Sequence, residues 1–480
     1  MKRDLVAGID SSTQSTTVVL RHLDDGAFVA EARAPHPKTT PPVSEQAPES
    51  WWDALTGALG QLADYLPRIA AISVGGQGHG LVLLGADGRS LRKAKLWNDT
   101  QSAPEALDLL AALPAEEWAT RTGSVPAPAM TVAKLLWTER HYPGLVARAR
   151  HVMLPFDYVV FKLSGHAATE RGGASGTGYF NPFLNCWQPE LAGLAVPDID
   201  WPAMLPEIVG SSDAAGRVRD DMDLGPLAGA VVGAGTGDNM AAALGMAVRD
   251  GDTVISLGTS GTLYASTPQA IRDPSGAING FADAAGGFMP MITTLNAAKV
   301  TDAFRRILGV NVTAYDQMAL ETPAGAGGLV LVPYLDGERT PNLPEATGSL
   351  RGVRSDVMPG QIARAAVEGV LCGLLEGGEM LKRHGVRDDG RLILTGGAAR
   401  SKAYRQVLAD LSGRPVWCCP QVETAAAGAG VQAAAALSGR TTDEVAEAWA
   451  PPLELVAEPR LSADAAEAVR VAYRRAAAAP

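Results

Sequence analysis

Cysteine is scarce in this chain. Four occur in 480 residues, Cys186, Cys372, Cys418 and Cys419, and none stands in a C-x-x-C pair. That excludes the usual zinc and dithiol motifs and implies no disulfide framework, which fits a reducing compartment. Long apolar runs are missing as well. The run behind Met1-Lys2-Arg3-Asp4 stops at Asp10, too short for a signal peptide. None elsewhere is long enough to span a bilayer. A soluble, cytoplasmic protein is expected. Positive charge is in deficit: 41 Lys and Arg stand against 52 Asp and Glu, a net charge of −11. Nucleic acid or an anionic membrane as main partner is therefore not expected, since both are bound through clustered Lys and Arg. A nucleotide is not excluded, because backbone N–H groups and a metal can hold its phosphates. Two common phosphate-binding fingerprints are also absent. No G-x-x-x-x-G-K-[ST] occurs, and Gly233-Ala234-Gly235-Thr236-Gly237-Asp238 lacks the G-x-G-x-x-G spacing. Any use of ATP would have to proceed without a P-loop.

What is present is a globular mixture, 46% hydrophobic and 19% charged, long enough for two or three domains. Leu5–Asp10, Thr16–Arg21 and Ala27–Ala34 read as strands, the first two joined by a small polar turn. A serine-capped helix over Ser50–Leu66 and a strand over Ile69–Val74 follow. The order returns later. Strands are predicted over Asp252–Leu257, Thr262–Ser266 and Phe288–Leu295, then a helix over Asn296–Leu308. A strand over Leu329–Tyr334, a helix over Gln361–Arg383 and a strand over Leu392–Thr395 come next. A helix over Ser401–Leu411, a strand over Val416–Cys419 and a helix over Thr424–Leu437 complete the half. Two related halves are expected, with a boundary near Ala247–Asp252 and a ligand cleft between them. The proline-rich stretch from Asp99 to about Asp223 reads as an insertion in the first half, lining one side of that cleft. The alanine-rich end after Arg475 is expected to fray.

Several short segments can carry chemistry. Asp10 ends a strand and is followed by Ser11-Ser12-Thr13. Such a turn can present backbone N–H groups to an anion, and its carboxylate can hold Mg²⁺, usually through water. An ordinary hairpin is the alternative. Gly258-Thr259-Ser260-Gly261 repeats the theme in the second half, so that a polyphosphate could be gripped by two turns. Asp238 follows a glycine-rich segment and could reach a bound hydroxyl or bond its own backbone. Gln77 and His79, in Gly75-Gly76-Gln77-Gly78-His79-Gly80, could meet sugar hydroxyls. Leu96-Trp97-Asn98-Asp99 offers an aromatic face and an amide, although Trp97 could equally be core. Gly396-Gly397-Ala398, between a strand and a helix, lets backbone approach a flat ligand such as adenine.

Together these segments resemble the FGGY family of carbohydrate kinases, most closely its xylulokinase branch. The resemblance runs from Gly8 to about Leu437. It includes Ser44-Glu45-Gln46-Ala47-Pro48-Glu49-Ser50-Trp51-Trp52, the 76–80 loop, Leu96 to Asp99, Lys134-Leu135-Leu136-Trp137, Gly348 to Glu368, and the stretch Pro333 to Pro341. It implies an α/β fold of two actin/hexokinase-like (ribonuclease H-like) domains flanking an interdomain cleft. The domains would be 1–248, sugar-binding, and 249–440, nucleotide-binding, with a helical tail over 441–480. It implies ATP-dependent phosphorylation of D-xylulose at the 5-hydroxyl, or of ribulose, gluconate, rhamnulose or glycerol, with Mg²⁺. A non-catalytic sugar sensor and an actin-like ATPase are the readings from other classes. Asp238 would be the general base and Asp10 the acid that organises metal and phosphate. Gly78, His79 and Asn239, with Trp97 and Asn98, would meet the sugar. Thr13, Gly258, Thr259, Ser260, Gly396, Gly397 and Ala398 would meet the nucleotide. Oligomeric state stays open, a homodimer among the options. Three positions depart from the family pattern: Gly78 replaces the usual Met, Ser11-Ser12 replaces Leu-Gly, and the Asp usual around Gly172–Ser175 is missing.

Overall fold

The computed structural model describes residues 3–221, 224–421 and 423–478. The chain forms two compact units. The first takes the chain up to Val248 together with Ala270–Met289 and Gln421–Pro451. The second takes Arg249–Gln269, Pro290–Pro420 and the chain from Pro452. The first crossing between the units is at Val248. The chain then returns twice, so the Thr424–Ser438 helix, which the sequence reading puts with the second half, packs in the first unit.

The first unit is built on a twisted mixed sheet. Its strands are β1 (Leu5–Ser11), β2 (Ser15–His22), β3 (Phe28–Pro35), β4 (Ile69–Gly76), β5 (Ala214–Arg217), β6 (Val231–Gly233) and the short β7 (Thr236–Gly237). The order is β5-β6-β4-β1-β2-β3, and β7 pairs with β4. β1, β2 and β3 form an antiparallel meander, whereas β4 runs parallel to β1, β6 and β7. Leu5, Ala7 and Ile9 of β1 meet Val18, Leu20, Trp51, Leu55 and Leu59 in one buried core.

The helix before β4 is Glu49–Gln61. It begins behind Pro48, and Ser50, the expected cap, instead donates through Oγ to Ala47 O at 2.7 Å. The expected continuation to Leu66 is a separate 3₁₀ stretch, Ala63–Arg68. Pro67 has no N–H to extend a helical ladder. The stretch from Asp99 is more helical than its prolines suggest. Its helices include Ala103–Ala112, Thr131–His141 and Pro155–Ser164. Trp118, Met130, Leu135, Tyr179 and Trp201 give it a second core, while Phe156 and Val159 pack back onto the main one. Asp223, the end the sequence reading gives it, lies outside the described residues.

The second unit repeats the plan. Its strands are β8 (Thr253–Leu257), β9 (Gly261–Ala265), β10 (Phe288–Thr294), β11 (Leu392–Thr395), β12 (Val416–Cys418) and β13 (Glu454–Ala457). They lie in the order β10-β9-β8-β11-β12-β13. The meander β8-β9-β10 is antiparallel, β8, β11 and β12 are parallel, and the edge strand β13 is antiparallel. The two sheets thus share one order, three meander strands followed by two parallel strands and an antiparallel edge. Leu329–Tyr334, expected as one strand, is a short strand Val330–Val332 paired with Ser349–Arg351 instead. The Ala463–Ala478 helix continues past Arg475, because Tyr473 and Ala476 are buried. Ala479 and Pro480 lie outside the described residues.

The Thr424–Ser438 helix is two-thirds alanine and glycine and is buried on all sides through most of its length. A Cβ on Gly8 would fall on the carbonyl oxygen of Ala426, and one on Gly428 on that of Ala241. Gly8→Ala is expected to cost roughly 2–3 kcal/mol, because backbone must move to admit the methyl group. Gly57→Ala, in the exposed middle of the Glu49–Gln61 helix with Ala34 Cβ 3.9 Å away, should instead stabilise by about 0.5–1 kcal/mol. Chemical denaturation of the two variants beside the wild type checks both signs.

Candidate functional site

Three parallel strands of the first unit end on one row. Asp10 lies opposite Gly75 of β4, and Gly75 opposite Thr236 of β7. Asp238 follows β7 directly and opens the Asp238–Gly245 helix. The two acids therefore stand at the carboxyl ends of strands flanking β4, the edge where open α/β sheets bind their ligands.

Their electrostatics follow from burial. Desolvation raises the Asp10 carboxyl to about 7. The Ser12 hydroxyl, which donates to Asp10 Oδ1, opposes this, and the negative charges of Asp238 and Glu423 reinforce it. Desolvation raises Asp238 to about 6, opposed by backbone N–H donors. Asp238 Oδ1 accepts the N–H of Asn239 at 2.8 Å and its side-chain amide at 3.0 Å. Among the described residues Oδ2 has no partner. The expected backbone bond and a free oxygen thus coexist in one carboxylate.

The turn after Asp10 is braced from several sides. Gln77 donates its N–H to Ser11 O and its amide to Ser12 O, at 3.1 and 3.2 Å. Gln46 donates to Thr13 O at 3.0 Å. Trp97, read from the sequence as a sugar contact, donates its indole N–H to Thr13 Oγ1 at 2.9 Å. Arg33 donates to Ser15 Oγ at 2.9 Å. Gln77 Oε1 and Asn98 Oδ1 are buried acceptors without a hydrogen-bond donor among the described residues.

His79 has a left-handed backbone, φ 62°. Its Nδ1 lies 2.9 Å from Gly176 O, and its ring stands 5.4 Å from that of Phe281. A Cβ on Gly78 would meet nothing within 4 Å. The position beside Gly78 where a side chain would begin is therefore open.

One residue escaped the sequence reading. Glu170 is fully buried, and its carboxylate accepts from Gly172 N at 2.8 Å, Ser211 Oγ at 2.6 Å and Thr236 Oγ1 at 2.7 Å. It ties the Arg171–Ala174 helix to the strand that leads into Asp238. An acid placed before Arg171-Gly172-Gly173 was the available signal, because a side-chain oxygen ahead of a helical start caps its free N–H groups.

The nucleotide candidates other than Thr13 lie in the second unit. The Gly258–Ser260 turn links β8 and β9, with Gly258 N bonded to Ser260 O at 3.0 Å. Its outer carbonyls are fixed by the next helix: Ala298 N donates to Gly258 O at 3.0 Å and Ala297 N to Thr259 O at 3.2 Å. The amides of Thr259 and Ser260 have no acceptor among the described residues. Gly396 follows β11 with φ 86°, and a Cβ there would press on the backbone of Leu257 at 2.6–2.8 Å. Only glycine suits that place, and it sets the exposed Gly396 and Gly397 beside the strand that feeds the turn.

Comparison with known proteins gives this arrangement its family. The model for the N-terminal domain of the FGGY family of carbohydrate kinases matches residues 5–245, and that for the C-terminal domain matches residues 253–437. The chain belongs to the FGGY family of carbohydrate kinases. Among relatives of this FGGY kinase, the xylulose kinase of Streptomyces rubiginosus is 43% identical over 460 residues, covering 96% of this chain and 92% of that protein. The xylulose kinase of Streptomyces coelicolor is 42% identical, covering 93% and 90%. The crystal structure of xylulose kinase from Bifidobacterium adolescentis has a TM-score of 0.86 at 33% identity, covering 99% of both chains. The FGGY kinase is an enzyme with the two-domain α/β sugar kinase fold, and its family implies use of ATP. Among the described residues, no helix is long and apolar enough to cross a membrane.

Glu170→Ala leaves buried hydroxyl and amide donors unpaired, a loss of about 1–3 kcal/mol of stability. Because Thr236 loses its anchor two residues before Asp238, turnover should fall as well. Thermal melts and steady-state kinetics on the same preparation check both effects.

Proposed function

We propose that this kinase transfers the γ-phosphoryl group of ATP to the 5-hydroxyl of D-xylulose, giving D-xylulose 5-phosphate and ADP. The substrate rests on the xylulose kinases it resembles over nearly its whole length. The chemistry rests on one observation: Asp238 keeps Oδ1 fixed by Asn239 and Oδ2 free. That free oxygen is the general base in this reading. It takes the proton of the 5-hydroxyl as the hydroxyl oxygen attacks phosphorus and the bond to the ADP oxygen breaks. A carboxylate suffices because the transition state is loose and proton transfer can come late. Positioning and charge stabilisation then supply most of the rate.

Gly78 (through its backbone), His79, Asn98 and Asn239 hold the sugar. Trp97 contributes its ring face, since its N–H is spent on Thr13. The first-half domain, 1–248, binds sugar and the second, 249–440, binds nucleotide. Thr13, Gly258, Thr259 and Ser260 face the phosphates, and Gly396, Gly397 and Ala398 the adenosine. The enzyme works in the cytoplasm, and a homodimer is the assembly to test first.

Mg²⁺ fits the donors available. Among the described residues no cluster of three or more His, Cys, Asp or Glu side chains could hold a metal. Mg²⁺ needs none, because it keeps its waters and binds through one or two carboxylates and substrate phosphate. Asp10 would hold it, and a cation there would relieve the mutual repulsion of the two acids. Bound, the ion would neutralise charge developing on the phosphate oxygens.

Asp238→Asn should lower xylulose-dependent ADP formation at least about a thousandfold while ATP still binds. Turnover within tenfold of wild type would remove Asp238 from the role. A panel of ketoses and polyols run on the wild type decides the sugar, with D-xylulose expected to give the highest kcat/KM. The raised carboxyls also fix a pH response. Base and metal-holding acid must both be ionised, so kcat/KM should be level only above the Asp10 value of about 7. It should drop about tenfold per pH unit below that, and more steeply below the Asp238 value of about 6.

A further inference from the structure

Arg339 stands out in the second unit as a sheltered cation that the protein does not pair. Its backbone is held firmly. Arg339 N donates to Glu338 Oε1 at 2.8 Å, and Glu338 is only 2% exposed. The same carboxylate accepts Leu295 N at 2.5 Å and the Asn296 amide at 2.9 Å, and that amide also reaches Gly337 O at 2.8 Å. The next two residues, Ala297 and Ala298, carry the amides that fix Thr259 O and Gly258 O. One buried carboxylate therefore couples the base of Arg339 to the turn whose Thr259 and Ser260 amides are unspent.

The guanidinium itself is different. It is half-buried, and desolvation is the sole cause that shifts its basicity, downward. Among the described residues it has neither a carboxylate within ion-pairing distance nor a hydrogen bond. Sheltered arginines elsewhere in this unit are paired: Arg364 with Glu368 at 2.7 Å and Arg391 with Asp252 at 2.5 Å. In a chain of net charge −11, acids to pair with Arg339 are plentiful, and none is used. A desolvated cation without a partner is costly to a fold, and groups kept so are characteristic of ligand sites. Its planar fork of donors matches phosphate oxygens.

We propose that Arg339 is a polyphosphate-binding residue, its guanidinium joining the Thr259 and Ser260 amides on the phosphates of ATP. This rests on the ATP-dependent kinase reading and adds to it a side chain that the sequence motifs did not assign. The bound anion supplies the missing counter-charge.

The test measures binding apart from turnover. Isothermal titration with tripolyphosphate and with ATP, each with Mg²⁺, is run on wild type, Arg339→Gln and Arg339→Lys. Both ligands should bind Arg339→Gln at least about tenfold more weakly, and the wild-type affinity should fall with added salt. Arg339→Lys keeps the charge without the fork and should lose only about threefold. It also serves where the Gln variant does not fold. Millimolar guanidinium should restore part of the tripolyphosphate affinity of Arg339→Gln, which a merely structural role would not allow. Wild-type affinity in both variants overturns the proposal and leaves the kinase reading intact. Weakened binding in Arg339→Gln, in a protein whose wild type turns over no sugar, sinks the kinase reading and leaves Arg339 in its role.

Discussion

The spacing of the two acids is set by close contact between backbones. The Thr424–Ser438 helix lies against β1 and against the Asp238–Gly245 helix at once. Gly8 admits it on one side, and Gly245 and Gly428 on the other, each at a place where a methyl group would overlap a carbonyl. Gln432 completes the joint: it accepts from Ser73 Oγ at 2.7 Å and donates to Gly235 O at 3.1 Å. Those contacts lock β4 to the segment that ends in Asp238. A helix with no functional group of its own therefore fixes how far apart the two acids stand.

Charge is then arranged with opposite sign in the two units. In the first, two carboxyls are desolvated and Asp10 also feels the negative charge of Asp238 and Glu423. Ser12 and the Asn239 N–H groups offset only part of this. In the second, the Thr259 and Ser260 amides and the Arg339 guanidinium have no partner among the described residues. Each arrangement is unfavourable alone, because it holds like or unpartnered charge out of water. Strain of this kind is typical of sites prepared for a transition state.

Local chemistry made much of this legible in the sequence. β-branched runs around small polar turns marked β1, β2, β8 and β9 to within a residue or so, and an acid at a strand end marked Asp10. Long-range side-chain partners were not legible. Trp97 and Thr13 are far apart in the chain, and an indole beside an amide says nothing of which hydroxyl it will reach. Glu170 and Gln432 bridge segments whose meeting depends on the finished fold. The Thr424–Ser438 helix was read correctly as a helix, but its composition carries no stripe. A helix buried all round has no polar face to indicate its neighbours, and only the glycines record how closely it packs.

The departures from the family pattern make sense as one structure. Around Gly172–Ser175, where an acid would be usual, the chain needs room. A Cβ on Gly173 would collide with the Phe156 ring, and one on Gly176 with the His79 imidazole. Gly176 O in turn holds the His79 Nδ1, and Thr131 Oγ1 donates to His79 O at 3.1 Å. His79 is thus held in a left-handed backbone by the segment that lacks the acid, directly after a Gly78 with open space beside it. The 76–80 loop and the 172–178 segment, which look like two independent determinants along the sequence, act as one wall. Changing either in isolation would therefore move His79 before it altered any contact of its own.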